Sequence, residues 1–295
     1  TSIAGLTVNT LGAEANVLVG KLQMLIESGM GMGGEFFNMK DLLYSDGKYF
    51  ELLGPLLCEI NSNTKSSLLG LMMERFDVLD DFYDRIKETG FYKNPISRII
   101  GNTNLFFLYG MGEHLLHAQG MLAVLHNSRN NVLDASGKEV PLLEAFDVVK
   151  DAEGNGELII KDGYTNKDGS AITEEQLEKI KGKIHYANKS MHGAFGSDEK
   201  GMIHRYAVGR LIMNFRQWMP AHYSRRFRGL YYDTDLGEYR EGFYVSTFKF
   251  VKGCVEDLVK AKFQWGTRWH ELSDMERYNV KRAAAETMIL AMLTA

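Results

Sequence analysis

The sequence is poor in residues that interrupt helices and in residues that cross-link chains. It has 4 prolines among 295 residues, and because proline breaks helix interiors, this scarcity favours long helices. Its 2 cysteines, Cys58 and Cys254, lie far apart and form neither a C-x-x-C pair nor a metal-binding spacing. We therefore expect two free thiols in a reducing compartment rather than a disulfide framework.

An excess of charge of one sign is also missing. The formal net charge is −4 and 24% of the residues are charged, a balance that provides no global attraction to nucleic acid or to an anionic membrane. Catalytic signatures are missing as well: there is no G-x-S-x-G elbow, no Cys-His signature and no lysine after a phosphate-binding glycine loop. These absences predict a protein that is not an enzyme and has no cofactor.

The sequence has no long apolar run that is free of polar residues. The stretch 105–126 is nearly apolar and long enough to cross a bilayer. However, Glu113, His114, His117 and Gln119 lie at its centre, where they would be costly in lipid. We predict a buried core helix and no membrane span.

The same polar residues are weak candidates for a metal site. Glu113 and His117 are four residues apart and share a helical face, with His114 beside them. A metal would need further ligands, for example His185 or His192, and the pattern is not H-E-x-x-H. A hydrogen-bonded polar cluster in the core explains the same residues and is preferred.

A glycine pattern near the N-terminus resembles a dinucleotide-binding loop in spacing only. Gly29, Gly31 and Gly34 match G-x-G-x-x-G within "ESGMGMGGEFFNM". A phosphate-binding loop needs a strand before the glycines, whereas the preceding residues have helical periodicity. The pattern therefore indicates the end of a helix and a connector in which the chain bends.

Apolar periodicity predicts a mainly α fold, a multi-helix block with a small β-hairpin insert around residues 155–172 that includes the strand "ELIIK". Capping boxes are predicted at Thr173/Gln176 and Ser273/Glu276, and Pro220 is predicted to interrupt the chain. The predicted helices are 11–28, 64–89, Asn94-Pro95 to His126, a short acidic helix from Pro141, Thr173 to about Ala194, Ser197 to Met219, 246–264 and Ser273 onward. A short "MKDLLY" segment is expected between the glycine stretch and the second of these helices.

Composition divides the chain into an N-terminal helical region, 1–150, a hairpin and loop insert, 151–172, and a C-terminal helical region, 173–295. We expect these parts to form one compact unit. The sequence begins without methionine and stops within a strongly helical segment, so a fragment of a longer polypeptide is expected.

The insert contains a pattern that is partly similar to a calcium loop. Asn166, Asp168 and Glu175 occupy ligand positions around Gly169, but Tyr164 stands where the first ligand should be. A hairpin turn leading into a capped helix accounts for the same residues.

The stretch 202–228 is the most distinctive because it combines arginines with aromatic residues. This basic stretch could contact nucleic acid, or it could pair internally or with a neighbouring chain through the acidic residues that follow. Pairing, either internal or with a neighbouring chain, is preferred to nucleic-acid binding, with Trp218 as either a contact or a core residue. The predicted contact surface comprises Arg205, Arg216, Trp218, Tyr223, Arg225, Arg226 and Arg228, with Asp233 and Asp235 as candidate acidic partners.

The order of several phrases between 109 and 244 resembles a known family. The phrases are "YGMGEHLLHAQGMLAVL", "VPLLEAF", "DGSAIT", "HYANKSMHGAFGSDEKGMIHRYAVGRLIMNFRQWMPAHYSRRF" and "YREGFY". Together they resemble a segment of the very large virion proteins of crAss-like tailed bacteriophages, without the polymerase motifs that some of those proteins carry.

The resemblance implies a virion-packaged protein, either structural or cargo ejected into the host cytoplasm, with other virion protein chains as partners. It supplies no catalytic residue. The alternative is a nucleic-acid-binding or processing domain of an ejected replication or transcription apparatus.

Overall fold

The computed structural model describes residues 10–29, 36–62, 65–78, 103–193, 218–260 and 265–294. Over these ranges the chain is mainly α-helical with small two-stranded antiparallel hairpins, which confirms the predicted fold class. The division into 1–150, 151–172 and 173–295 stays a prediction.

The described helices and strands are numbered here in chain order. The α-helices are α1 Thr10–Ser28, α2 Met39–Ser62, α3 Leu68–Arg75, α4 Thr103–His126, α5 Glu174–His192, α6 Trp218–Phe227, α7 Phe243–Val259, α8 Trp265–Glu271 and α9 Asp274–Thr294. Short 3-10 helices cover Ser128–Asn130 and Leu142–Ala145. The strands are β1 Val132–Leu133, β2 Glu139–Val140, β3 Phe146–Lys150, β4 Gly156–Ile160, β5 Tyr231–Asp233 and β6 Glu238–Arg240.

Both predicted capping boxes are present at helix starts. The Thr173 hydroxyl accepts the Gln176 amide N–H, and the Gln176 side chain accepts the Thr173 N–H. Ser273 and Glu276 make the equivalent pair before α9. Each box satisfies backbone donors that a helix start would otherwise leave without partners.

Helix α2 is much longer than the short segment predicted. Asn38 and Asp41 form a reciprocal cap, in which each side chain accepts the backbone N–H of the other residue. Pro55 lies inside the helix, which the sequence argument treated as unfavourable. Packing of Tyr49, Leu52 and Leu56 into the core offsets the backbone hydrogen bond that the proline removes.

Helix α3 is shorter than the prediction of 64–89. It ends in a Schellman motif, in which the N–H of Val78 bonds to Met73 O and the N–H of Asp77 bonds to Glu74 O. Asp77 adopts the left-handed conformation, with φ 54°, where glycine is usual, so no glycine marks this end in the sequence. The rest of the predicted helix lies outside the described residues.

The hairpin insert begins earlier than 155. The predicted strand "ELIIK" is confirmed as β4, but its partner is β3, from Phe146↔Ile160 to Lys150↔Gly156. The acidic helix predicted from Pro141 is therefore wrong: a single 3-10 turn leads directly into β3. The β-branched pair Val148 and Val149 suits a strand better than a helix.

Helix α4 lies at the centre of the core, as predicted for a buried helix. Its residues from Met121 to Leu125 are fully buried against α1, α2 and α5. Glycines allow the close approach: a Cβ on Gly112 would lie 2.7 Å from Val17 Cγ2, and one on Gly120 would collide with Asn188 Oδ1. No helix in the described ranges has the length and apolar character needed to cross a bilayer.

Helix α6 contradicts the predicted interruption at Pro220. The proline lies within Trp218–Phe227, and the residues on both sides of it are helical. The helix then continues through the arginines that the sequence placed in an irregular segment. Apart from 218 and 219, the helix predicted from Ser197 to Met219 lies outside the described residues.

Candidate contact surface and buried polar core

The arginines of α6 differ in direction, and Arg225 points into the protein. Its guanidinium donates to Glu27 Oε2 at 2.5 Å, and Arg282 of α9 donates to the same oxygen. The side chains of Glu27, Arg225 and Arg282 are 0%, 7% and 3% exposed. We call these three residues the buried ion triad, and it joins α1, α6 and α9.

The carboxylate of the triad is held in its ionised form by its partners. Burial alone would raise the pKa of Glu27, because a charge is costly in a medium of low polarity. The guanidinium groups of Arg225 and Arg282 outweigh that effect and lower the pKa below 4.5. The triad is therefore charged at neutral pH.

Arg226 forms a second link between α6 and α9. Its Nε donates to Glu286 Oε1 at 3.1 Å, and its Nη1 donates to the carbonyl of His222 at 3.4 Å. The ring of Phe243, the first residue of α7, lies near two guanidinium groups. The distances from its centroid are 5.6 Å to Arg226 Cζ and 5.4 Å to Arg282 Cζ, within cation–π range.

The remaining described side chains of the predicted contact surface lie on the outside. Tyr223 is exposed, and its ring centroid lies 5.5 Å from that of Phe227. Arg228 is also exposed, with its Cζ 4.0 Å from the ring centroid of Tyr231. Arg205 and Arg216 lie outside the described residues, and Trp218 is the first residue of α6.

The acidic partners differ from the predicted ones. Asp233 Oδ1 accepts the N–H groups of Asp235 and Leu236 and so closes the turn of the β5–β6 hairpin. Asp235 lies 3.7 Å from Lys189 Nζ. Neither aspartate pairs with an arginine of α6, because Glu27 and Glu286, distant in sequence, occupy the inward side of that helix.

The sequence analysis did not identify Glu27 or Glu286 as partners of the arginines. Glu27 closely follows the apolar positions Leu22, Leu25 and Ile26 of α1. A carboxylate beside such a stripe is the signal that could have identified it, because an acidic residue on a buried face needs a partner.

Four histidines belong to the polar part of the core. Tyr49 Oη lies 3.0 Å from His114 Nδ1. The ring centroids of His117 and His192 are 5.2 Å apart, and His222 Nε2 lies 2.8 Å from Met191 O. Four histidines from α4, α5 and α6 are thus buried within one region.

Burial keeps these imidazoles neutral. Desolvation lowers the pKa of His114 to about 3 and those of His117 and His222 to about 4. It also lowers the pKa of His192 well below its usual value, and His117, His222, Lys21 and Arg225 around it lower that pKa further. A protonated imidazole would be unfavourable at any of these positions.

The metal candidates are not arranged as a ligand set. Glu113, His114 and His117 are all buried. The supplementary candidate His185 directs Nε2 to the carbonyl of Phe76 at 2.9 Å. Within the described ranges, no group of three His, Cys, Asp or Glu side chains could hold a metal ion.

The residues of the calcium-like pattern have hydrogen-bond partners within the protein. Asn166 Nδ2 donates to Ser170 Oγ at 3.0 Å, and Asp168 Oδ1 accepts the Ser170 N–H at 3.0 Å. Glu175 pairs with Lys179 at 2.7 Å. These contacts belong to a hairpin turn that leads into a capped helix, which is the alternative that the sequence favoured.

The glycine pattern follows a helix. Helix α1 continues to Ser28, and the N–H of Gly29 bonds to Leu25 O at 3.1 Å. A phosphate-binding loop would require a strand there. Gly31 and Gly34 lie outside the described residues.

Comparison of the chain with protein-family models, with curated proteins and with solved structures found no match.

Proposed function

We propose that this chain is a non-enzymatic structural or cargo component of a tailed-phage virion, with other virion protein chains as its partners. The order of phrases between 109 and 244, which resembles large virion proteins of crAss-like phages, supports the proposal. Its location would be the virion, or the host cytoplasm if the protein is ejected.

The observation that supports a structural role is that two arginines of the basic stretch pair with glutamates inside the protein. Arg225 and Arg226 are engaged with Glu27 and Glu286, so they connect helices from opposite ends of the described chain. A buried guanidinium that is paired with a carboxylate is not available to a phosphate group. These contacts favour internal pairing over nucleic-acid binding.

Exposed apolar side chains support contacts with other chains. Leu18 of α1, Phe248 and Val259 of α7 and Met292 of α9 are each at least 69% exposed. Large exposed apolar side chains mark protein–protein contacts where they form a contiguous patch.

Peptide mass spectrometry of purified particles from the source of the sequence tests the proposal. We expect abundant peptides from this chain, in constant proportion to the capsid protein across independent preparations. Comparison of full particles with particles that have ejected their DNA separates the two roles. A structural protein stays in the emptied particles, whereas ejected cargo is lost from them. Absence of this chain from well-covered full particles would overturn the proposal.

The alternative is a nucleic-acid-binding domain, and the stacked pair Arg228 and Tyr231 favours it. An exposed guanidinium beside an aromatic ring is suited to phosphate contact and base stacking. Binding of labelled single-stranded DNA should then weaken steeply with salt, with a slope of about −0.7 per phosphate contacted. Arg228→Gln should reduce that slope, whereas the control Lys260→Gln, at the exposed end of α7, should not. Absence of binding at low salt would exclude this alternative.

A further inference from the structure

The inward side of α6 is made of titratable and charged side chains. Between residues 222 and 227, the buried side chains are those of His222 and Arg225, whereas the aromatic side chains of Tyr223 and Phe227 are exposed. A surface helix usually packs through an apolar stripe. Over this stretch α6 is instead attached to its neighbours by hydrogen bonds and ion pairs.

Two buried histidines, His192 and His222, lie where α6 meets the end of α5, and we call them the junction histidines. The Nε2 of His222 lies 2.8 Å from Met191 O, so this nitrogen carries the proton that it donates to the carbonyl. His192 is the last residue of α5, and in the described part of the protein neither of its ring nitrogens has a hydrogen-bond partner. Its ring centroid lies 5.2 Å from that of His117 in α4. Protonation of either junction histidine would therefore place a charge in a buried site.

The charged groups around the junction histidines are mostly cations. The groups that disfavour protonation of His192 are Lys21 of α1, His117 of α4, and His222 and Arg225 of α6. Those that disfavour protonation of His222 are Arg225 and Arg226 of α6 and Arg282 of α9.

The carboxylates of this region already have partners. Glu27 and Glu286 pair with the same arginines, and Asp46 of α2 pairs with Lys21. The phenol of Tyr244, from α7, is uncharged at neutral pH, and burial raises its pKa further. A proton on either junction histidine would therefore add to a positive cluster.

We propose that α6 is an acid-sensitive helix, which leaves α5 when the junction histidines take up protons while α2 and α4 stay packed in the core. Once exposed, an imidazole has a pKa of about 6.5, whereas burial lowers the pKa of His222 to about 4 and that of His192 well below its usual value. The open form therefore binds protons first as the pH falls below about 6.5, and the equilibrium shifts towards the open form. Above that pH the closed form keeps its full stability.

The size of the effect follows from the pKa of His222 in the closed and open forms. Between pH 7 and pH 5 the opening equilibrium constant of α6 should rise roughly 20-fold through His222 alone, and His192 should add to this rise. Helices α2 and α4 are held differently, by buried apolar side chains such as Leu56 and Leu122, whose packing does not depend on a proton. The inference rests on the junction of α5 and α6 and does not depend on a virion role.

Hydrogen exchange of the whole chain, followed by mass spectrometry at pH 7 and pH 5, tests the release of α6. Labelling times are scaled to the intrinsic exchange rate at each pH, so that only the opening is compared. Peptides that cover residues 222–227 should show a rise in opening of at least about 20-fold. Peptides from α2, which contains no histidine, should change far less.

Substitutions of the junction histidines identify the groups that take up the protons. His222→Gln keeps an N–H donor for Met191 O and should reduce the rise roughly 20-fold. His192→Leu removes a ring without a hydrogen-bond partner in the described part of the protein and should reduce the rise as well. The double variant should abolish the rise. His270→Gln, at an exposed position of α8, is the matched control and should behave as the wild type does.

Equal opening of α6 at the two pH values would overturn the proposal. So would an equal rise in α2 and α6, because that pattern indicates unfolding of the whole chain rather than release of one helix. Retention of the wild-type pH dependence in the double variant would overturn it too. Circular dichroism at pH 7 checks that each variant is folded. If a variant at His192 does not fold, His222→Gln alone decides, since an unchanged rise in that variant contradicts the role of His222.

Discussion

The substitution Glu27→Gln tests the buried ion triad most directly. It keeps the size of the side chain and removes only the negative charge. Arg225 and Arg282 would then lie buried on either side of a neutral amide, and their own side chains are 7% and 3% exposed. Neither guanidinium could regain full hydration without moving α6 or α9.

The expected loss of stability is large because the charges left behind are buried. Removing one partner of a buried ion pair costs about 3–5 kcal/mol, out of about 5–15 kcal/mol for a typical domain. With a urea m-value of roughly 3 kcal/mol per molar, the unfolding midpoint should fall by more than about 1 M. Replacing Glu27, Arg225 and Arg282 together by methionine or leucine should recover most of that loss, because none of the three charges of the triad would then be left buried without its partner.

Urea unfolding followed by circular dichroism at pH 7 provides the measurement. Asp274→Asn is the control, because Asp274 pairs with Arg277 while its side chain is 89% exposed, and it should leave the midpoint unchanged. A midpoint for Glu27→Gln within error of the wild type would refute the assignment of the triad as a buried, charged link. So would a triple variant less stable than the single one.

The difference in unfolding free energy between the wild type and Glu27→Gln should also depend on pH, which gives a second check. The folded-state pKa of Glu27 lies below its usual 4.5, so its charge stabilises the fold fully above pH 4.5. That contribution is lost as the pH falls through the folded-state pKa. The difference in unfolding free energy between the wild type and Glu27→Gln should therefore be constant from pH 5 to 8 and become smaller in stronger acid.

The remaining predictions concern the core around α4. Folded-state pKa values of about 4 for His117 and His222, against 6.5 in the unfolded chain, mean that the unfolded chain binds protons first as the pH falls. Each histidine should therefore cost about 2 kcal/mol of stability between pH 7 and pH 5, and urea titrations at both pH values would detect it. Their replacement by glutamine should reduce this acid sensitivity, and an unchanged sensitivity would contradict the assignment. Gly120→Ala should cost about 1–3 kcal/mol because its Cβ would collide with Asn188, and a thermal midpoint equal to the wild type would argue against that close approach. Asp41→Ala should cost roughly 3 kcal/mol, since it removes the acceptor of the hydrogen bonds from Asn38, His126 and Asn127, which are buried or partly buried; a loss below about 1 kcal/mol would contradict that role.

Local signals identified the helices that carry their own start or end. The capping boxes at Thr173 and Ser273 were predicted, because the side chain that caps a helix lies within three residues of the amide it binds. Helix α3 shows the opposite case. Its end depends on Asp77 in a left-handed conformation, so the sequence has no glycine that marks the end of this helix.

The candidate site was predicted less completely than the fold. The arginines of α6 were identified as important, but the sequence order suggested Asp233 and Asp235 as their partners. The actual carboxylates, Glu27 and Glu286, are 198 and 60 residues from their arginines. Residues so far apart in sequence form no local pattern that would identify them as partners.

The amino-acid sequence by itself determined the helical class, the burial of α4 in the core and the absence of a membrane-spanning helix in the described ranges. These follow from periodicity and from polar residues at fixed spacings, which act along the chain. Only the tertiary structure decided that Arg225 is buried whereas Arg228 is exposed, and that the outward face of α7 is uncovered. Those outcomes depend on which helices meet in space, because a charge is stable in the core only where a distant partner reaches it.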